Sequence, residues 1–240
     1  MDAAPSRRDR RLARIFVPAE APEDWKPLLA EPEKHWRKGF SAHSLAYAWQ
    51  GANGFPDSVQ KVLQASGIRA LHDLELLLGL PEHQVLLPPA GGAPSQTDLW
   101  VLANGVEGLV SIAVEGKVKE TFGERVADWL GEHPSPGKDV RLRFLCERLG
   151  VTQSDIASVR YQLLHRMVSA LLEAERFRSR HALMLVHSFS TANDGLQDYQ
   201  AFAERLGGKA PVNAITDVGE RSGIHLHLGW VVEVTVGSAS

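Results

Sequence analysis

The run at 182–189, ALMLVHSF, is apolar almost without interruption. That is the pattern of a strand buried at the centre of a sheet. Upstream, 99–103 and 109–114 are two shorter apolar runs joined through Asn104, Gly105 and Gly108, which reads as a hairpin. Around them lie stretches of helical character: 41–49 opened by Ser41, 58–64 with Asp57 as N-cap, 122–131, 140–149, 155–177 capped by Thr152 or Ser154, and 198–206. Residues 224–236 supply a final strand or two. This order of elements predicts an α/β fold, a three-layer domain with a central mixed β-sheet flanked by helices.

Other segments are shorter or ambiguous. Leu71, Leu74, Leu77 and Leu78 recur at helical spacing, which predicts a short helix ended by Gly79 and Pro81; the competing reading takes 76–78 as a strand fragment. Residues 14–17, RIFV, read as a short strand closed by Pro18, 22–29 as a helical turn, and 85–87 as extended chain.

The chain of 240 residues is read as one domain, 1–240, with 1–13 a disordered terminus. The arginines of that terminus are a solvated end or, less simply, an arm for nucleic acid. The single cysteine, Cys146, cannot form an intramolecular disulfide and sits among Leu142, Phe144, Leu145 and Leu149, so it is read as a core residue in a reducing, cytoplasmic compartment. No segment approaches the roughly 18 consecutive apolar residues of a membrane span. A net charge of −3 argues against a strongly basic nucleic-acid-coating protein, though not against an enzyme that meets phosphates in one groove.

The chemistry concentrates between 98 and 117. Along 110–117 side chains alternate faces, so Val110, Ile112 and Val114 form a core face, while Ser111, Ala113, Glu115 and Lys117 form the other. Two small residues followed by two charged ones suit the floor of a cleft. Asp98 opens the preceding strand and can lie near Glu115. Two carboxylates converging at a strand end can hold Mg²⁺ or Mn²⁺ through oxygen, and a lysine beside them can orient a water and offset charge on phosphorus. The plainer reading of Glu-x-Lys is a solvated edge pair.

Asp98 at the head of one strand, then Glu115-Gly116-Lys117 at the end of the next, resembles the PD-(D/E)XK nuclease superfamily. The stretches PSQTDLWVLA, GLVSIAVEGKVKETFG, KHWRKGFSA and RYQLLHR are also similar to an uncharacterised bacterial family assigned to that fold. The resemblance implies a restriction-endonuclease-like core over about 70–190, built as helix, three-stranded antiparallel meander, helix and strand. It implies that Asp98 and Glu115 bind metal and that Lys117 attends the nucleophilic water. Thr97 stands where the signature has proline, which is not a ligand position.

On the following helix Gln162, His165, Arg166 and Ser169 share a face. The functional reading puts Gln162 near the metal water and Arg166 near a phosphate; the plainer one is a solvated face. Glu82 completes the metal site as a third carboxylate or caps a turn. Glu120 reads as a carboxylate complementing the N-terminus of the helix that follows. Lys34-His35-Trp36-Arg37-Lys38 either grips a phosphate backbone, with Arg37 as a cation and Trp36 for stacking, or is a solvated helix end. His225 and His227 alternate on one strand face and are read as packed or surface residues, since no other spacing completes a zinc set. Gly-x-Ser-x-Gly, a Walker loop and Gly-x-Gly-x-x-Gly are all missing, which disfavours serine-hydrolase, nucleotide-driven and dinucleotide chemistry.

The expected function is therefore Mg²⁺- or Mn²⁺-dependent hydrolysis of nucleic acid, DNA favoured over RNA, with a homodimer allowing two cuts on a duplex. The alternatives are a catalytically inactive nuclease-fold module for binding or assembly, and a metal hydrolase for a small phosphoester.

Overall fold

The computed structural model describes residues 19–52 and 54–233. The expected strand at 14–17 and the arginine-rich terminus lie outside the described residues. The chain enters through a 3-10 helix, Pro22–Leu28, then α1 (Pro32–His35), α2 (Ser41–Gly51) and α3 (Asp57–Ala65). Asp57 is the first residue of α3 rather than its cap; Pro56 holds the capping position. After a 3-10 turn at Arg69–Leu71 come β1 (Glu75–Val85), β2 (Ser95–Gly105) and β3 (Gly108–Lys117). Then follow α4 (Val126–Leu130), α5 (Pro136–Leu149), α6 (Gln153–Ile156), α7 (Tyr161–Arg176), β4 (His181–Ser188), α8 (Leu196–Arg205), β5 (Ala214–Arg221) and β6 (Ile224–Val232).

The six strands form one mixed sheet in the order β1-β2-β3-β4-β6-β5. β1, β2 and β3 are an antiparallel meander; β4 runs parallel to both β3 and β6, and β5 closes the far edge antiparallel to β6. β4 is buried along its whole length, as its composition demanded. Leu183 and Leu185 join Val110, Ile112 and Val114 under α2 and α3, while Ala182, Met184 and Val186 join Ala113 under α5, α7 and α8. Two apolar cores thus sit on opposite faces of one sheet, and the domain has three layers.

Several expectations are corrected. Residues 75–85 are a strand, so at 76–78 the strand reading holds and the helical one does not: Leu77 falls in a bulge between Leu76 and Leu78, and this extra residue breaks the alternation that would have marked a strand. The hairpin turn is Val106–Glu107, because Asn104 and Gly105 still pair within the ladder, Gly105 opposite Gly108. The stretch 155–177 is two helices. Thr152 caps only α6, and the chain then extends so that Arg160 bridges Arg125 before α7 begins. β5 was not anticipated; its buried Ile215 and Val218 stand among polar and charged neighbours.

Ser111 and Ala113 also serve a different purpose from a cleft floor. Both are fully covered: Ala113 packs in the core beneath α7, and the Ser111 hydroxyl donates to the Ala170 carbonyl at 2.9 Å while accepting from Trp100 Nε1 at 3.0 Å. Small residues here let α7 lie close to the sheet. Only the Glu115 and Lys117 end of that face reaches the cleft.

Candidate functional site

The register of the meander brings three carboxylates into one row. Leu99 pairs with Val114, so Asp98 and Glu115 are the next residues along β2 and β3, on the same face. On the other side of β2, Pro81 pairs with Leu99 and His83 with Thr97, which sets Glu82 beside Asp98. Glu82 has a left-handed backbone, φ 52°, a strained conformation for a glutamate within a strand. Carboxylates side by side across a sheet repel one another.

Two cations answer them, unevenly. Arg166 Nε donates to Glu115 Oε2 at 2.7 Å, and Lys117 Nζ to Glu115 Oε1 at 2.8 Å. Gln162 Nε2 adds a third donor to Oε1 at 2.7 Å, and its own carbonyl accepts from Lys117 Nζ at 3.4 Å. Burial raises Glu115, but Arg166 and Lys117 overcome that and hold it down to about 2. Asp98 accepts the Gly116 N–H at 2.9 Å, and Glu82 accepts from Gln96 Nε2 at 2.6 Å. Burial pushes Asp98 up to about 7, with Glu115 adding to it; burial and then Asp98 push Glu82 up to about 8. One carboxylate is compensated, and two are crowded.

The row opens into a cavity of about 470 Å³, which Gln96, Gln162 and Arg166 also line. The segment around α1 and the start of α2 walls its other side with Leu29, Lys34, His35 and Phe40. Glu120 fixes that wall. Its carboxylate accepts from Ser41 N at 2.9 Å and from Val118 N at 2.8 Å, tying the start of α2 to the end of β3. Glu120 therefore complements the N-terminus of α2 rather than that of the helix following it in sequence.

The anticipated residues divide clearly. Glu82, Asp98, Glu115, Lys117, Gln162 and Arg166 meet in this cleft. Trp36 and Arg37 do not line it: Trp36 packs against the core under α2, and the Arg37 guanidinium donates to the Glu33 carbonyl. Lys34 and His35, two residues earlier, take that place. Arg166 is engaged with Glu115 and buried, so it neutralises the carboxylate row instead of facing a phosphate from open solvent. The polar face of α7 is accordingly not a solvated face.

His181, His225 and His227 gather at the other end of the strands, with His225 at the surface. His227 is fully buried, and His181 stacks against both His225 and His227, with His181 Nδ1 and His227 Nε2 3.1 Å apart. Burial pushes His227 down to about 4, with His181 and His225 adding to this against Asp217. A cluster not foreseen joins Ser58, His187 and Glu233, but its geometry forbids a serine nucleophile. Trp49 Nε1 donates to His187 Nδ1 at 3.1 Å, which leaves the proton on Nε2, and Nε2 faces both Ser58 (3.3 Å) and Glu233 (3.0 Å). A ring in that tautomer has no lone pair for the Ser58 proton.

Among the described residues no group of three or more His, Cys, Asp or Glu side chains converges to hold a metal ion, and no helix is long and apolar enough to cross a membrane. No curated protein and no solved structure matches the chain. Residues 18–235 match the family described as a domain of unknown function, DUF6946, and the chain belongs to that family.

Proposed function

We propose that the chain is a divalent-cation-dependent phosphodiesterase acting on nucleic acid, with a PD-(D/E)XK-like site on a restriction-endonuclease-like core. The observation that carries this reading is the row Glu82, Asp98 and Glu115 with Lys117 at its end, three carboxylates against two cations in an open cleft. An antiparallel meander followed by helices and a parallel β4 is compatible with such a core.

The donor set fits a hard cation. Mg²⁺ often takes only one or two carboxylates and completes its shell with water and substrate phosphate. Asp98, whose charge is held back by burial and Glu115, and Glu82, held back by burial and Asp98, are the residues that would hold Mg²⁺ or Mn²⁺. Glu115 already accepts three hydrogen bonds, so it joins the ligand set only by loosening Arg166, Gln162 or Lys117. The cation, when bound, supplies Lewis-acid activation of the phosphoryl group and of a water. Lys117, anchored by Glu115 and Gln162, orients the attacking water and faces the charge that develops on phosphorus. Gln162 fixes the Lys117 ammonium, and Lys34 and His35 meet the phosphate from the opposite wall.

The closed network around Glu115 also favours a second reading, an inactive nuclease-fold module that uses the cleft for binding. Incubation with Mg²⁺ or Mn²⁺ and a panel of single- and double-stranded DNA and RNA separates the two. Cleavage by the wild type, lost in Asp98→Asn and Lys117→Ala, supports hydrolysis. Calorimetric binding of Mn²⁺ with no cleavage of any polymer selects the module, and neither binding nor cleavage removes the metal-dependent reading.

A further inference from the structure

A second groove lies back to back with the cleft. It has a volume of about 540 Å³ and is lined by Lys38, His43, Tyr47, Val118 and Phe189, with Glu233 at one side. The two grooves share the same stretch of backbone. Phe40, Ser41 and Ala42 face the cleft, while Lys38, Gly39, His43 and Ser44 face the second groove; Lys117 opens on one and Val118 on the other. The stretch 38–44 and the end of β3 separate them.

Aromatic rings cover this ground. Trp36 contacts His43 with centroids 5.3 Å apart, and His43 stacks on Tyr47 at 4.5 Å with the rings 18° from parallel. Phe40 and Tyr47 are 38% and 48% exposed, large values for rings with no catalytic assignment. His43 and Tyr47 are four residues apart on α2 and so present one continuous face. Cations are interleaved with the rings: Lys34 at the cleft wall and Lys38 in the second groove. Acidic neighbours temper the charge, since Lys34 pairs with Glu31 at 2.9 Å and the Tyr47 hydroxyl donates to Glu23.

From this juxtaposition we infer that the substrate is single-stranded nucleic acid, whose chain leaves the carboxylate cleft over Phe40 and seats a base against the His43–Tyr47 face in the second groove. The inference rests on the hydrolase reading and names its substrate class. Unpaired bases expose faces that stack on aromatic rings whatever their sequence, and phosphates between them need spaced cations. A duplex buries those base faces within its own stack and has no use for the rings.

The test measures binding without metal, so that it does not depend on turnover. In EDTA, fluorescence anisotropy is read for labelled oligothymidylate and oligouridylate of about a dozen nucleotides and for a duplex of the same length. The expected result is at least one single strand binding roughly tenfold tighter than duplex, weakened about fivefold or more by Tyr47→Ala or His43→Ala. Tyr47→Phe should bind like the wild type, which separates stacking from the Glu23 hydrogen bond. Lys38→Ala should lower the salt dependence of binding by less than one phosphate contact's full slope or by about one, never raise it. Comparison of the two oligomers assigns DNA or RNA. Duplex binding as tight as single-strand binding, or Tyr47→Ala and His43→Ala binding like the wild type, overturns the inference. If the wild type still cleaves a polymer with Mn²⁺ in that case, hydrolysis stands and only the substrate class falls. No binding to any strand and no cleavage removes both.

Discussion

Glu115 and Asp98 are adjacent carboxylates in opposite circumstances, and their variants should behave oppositely. Glu115→Gln takes from Arg166 and Lys117 the carboxylate both bond and leaves only Asp98 and Glu82 near them, which should cost about 3 kcal/mol in urea denaturation. The contribution of Glu115 is complete above its ordinary value of 4.5 and is lost as pH falls toward 2. Asp98→Asn keeps an acceptor for the Gly116 N–H and removes a crowded charge, so the metal-free protein should be as stable or more stable at pH 8. Equal destabilisation by both changes would contradict this division. His227 makes a separate prediction. Its folded value of about 4 lies below the ordinary 6.5, so the unfolded chain takes up a proton first. Stability should fall as pH drops below 6.5 and level off near 4, a loss on the order of 3 kcal/mol. His227→Gln should flatten that slope; an unchanged slope would show that another group is responsible. The meeting of Asp98 and Glu115 was legible in the sequence because one heads its strand and the other ends the next, so a hairpin sets them side by side. That Arg166 serves Glu115 was not, because a cation on a helix carries no mark of the partner its fold will bring.

At the scale of elements, legibility followed periodicity. β4 and the hairpin strands were readable because their apolar runs were short and bounded by turn residues. β1 was readable only as the competing reading at 76–78, because Leu76, Leu77 and Leu78 with Leu71 and Leu74 mimic a helical stripe and a bulge at Leu77 interrupts the strand alternation. The two assignments differ in a measurable way. A helix with that stripe would bury Leu77, whereas the strand leaves it 41% exposed and buries Leu76. Leu77→Ser should change stability by less than about 0.5 kcal/mol, and Leu76→Ala should cost about 2–4 kcal/mol. The reverse order would restore the helix. The break between α6 and α7 was hidden for another reason. Its extended link is held by Arg125 and Arg160 across a sequence gap that no local pattern spans, with Val126 N donating to the Val159 carbonyl at 2.9 Å.

For the molecule as a whole, the three layers dictate where chemistry can stand. α7 covers one face of the meander and α2 the other, so polar groups collect where the ends of β2 and β3 emerge between α7 and the α1–α2 wall. Glu120 ties that wall to β3 at a distance of 79 residues in sequence, which is why the cleft has a second side at all. The sequence named the residues at the bottom of the cleft but misplaced its rim by two residues, singling out Trp36 and Arg37 over Lys34 and His35. The most direct test of the central claim is single-turnover cleavage of a labelled oligonucleotide with Mn²⁺, wild type against Lys117→Ala. The account predicts cleavage by the wild type and a loss of at least about 100-fold in the variant, with its circular dichroism spectrum unchanged. Equal rates in the two proteins, or no cleavage by the wild type at any Mn²⁺ concentration, would contradict it.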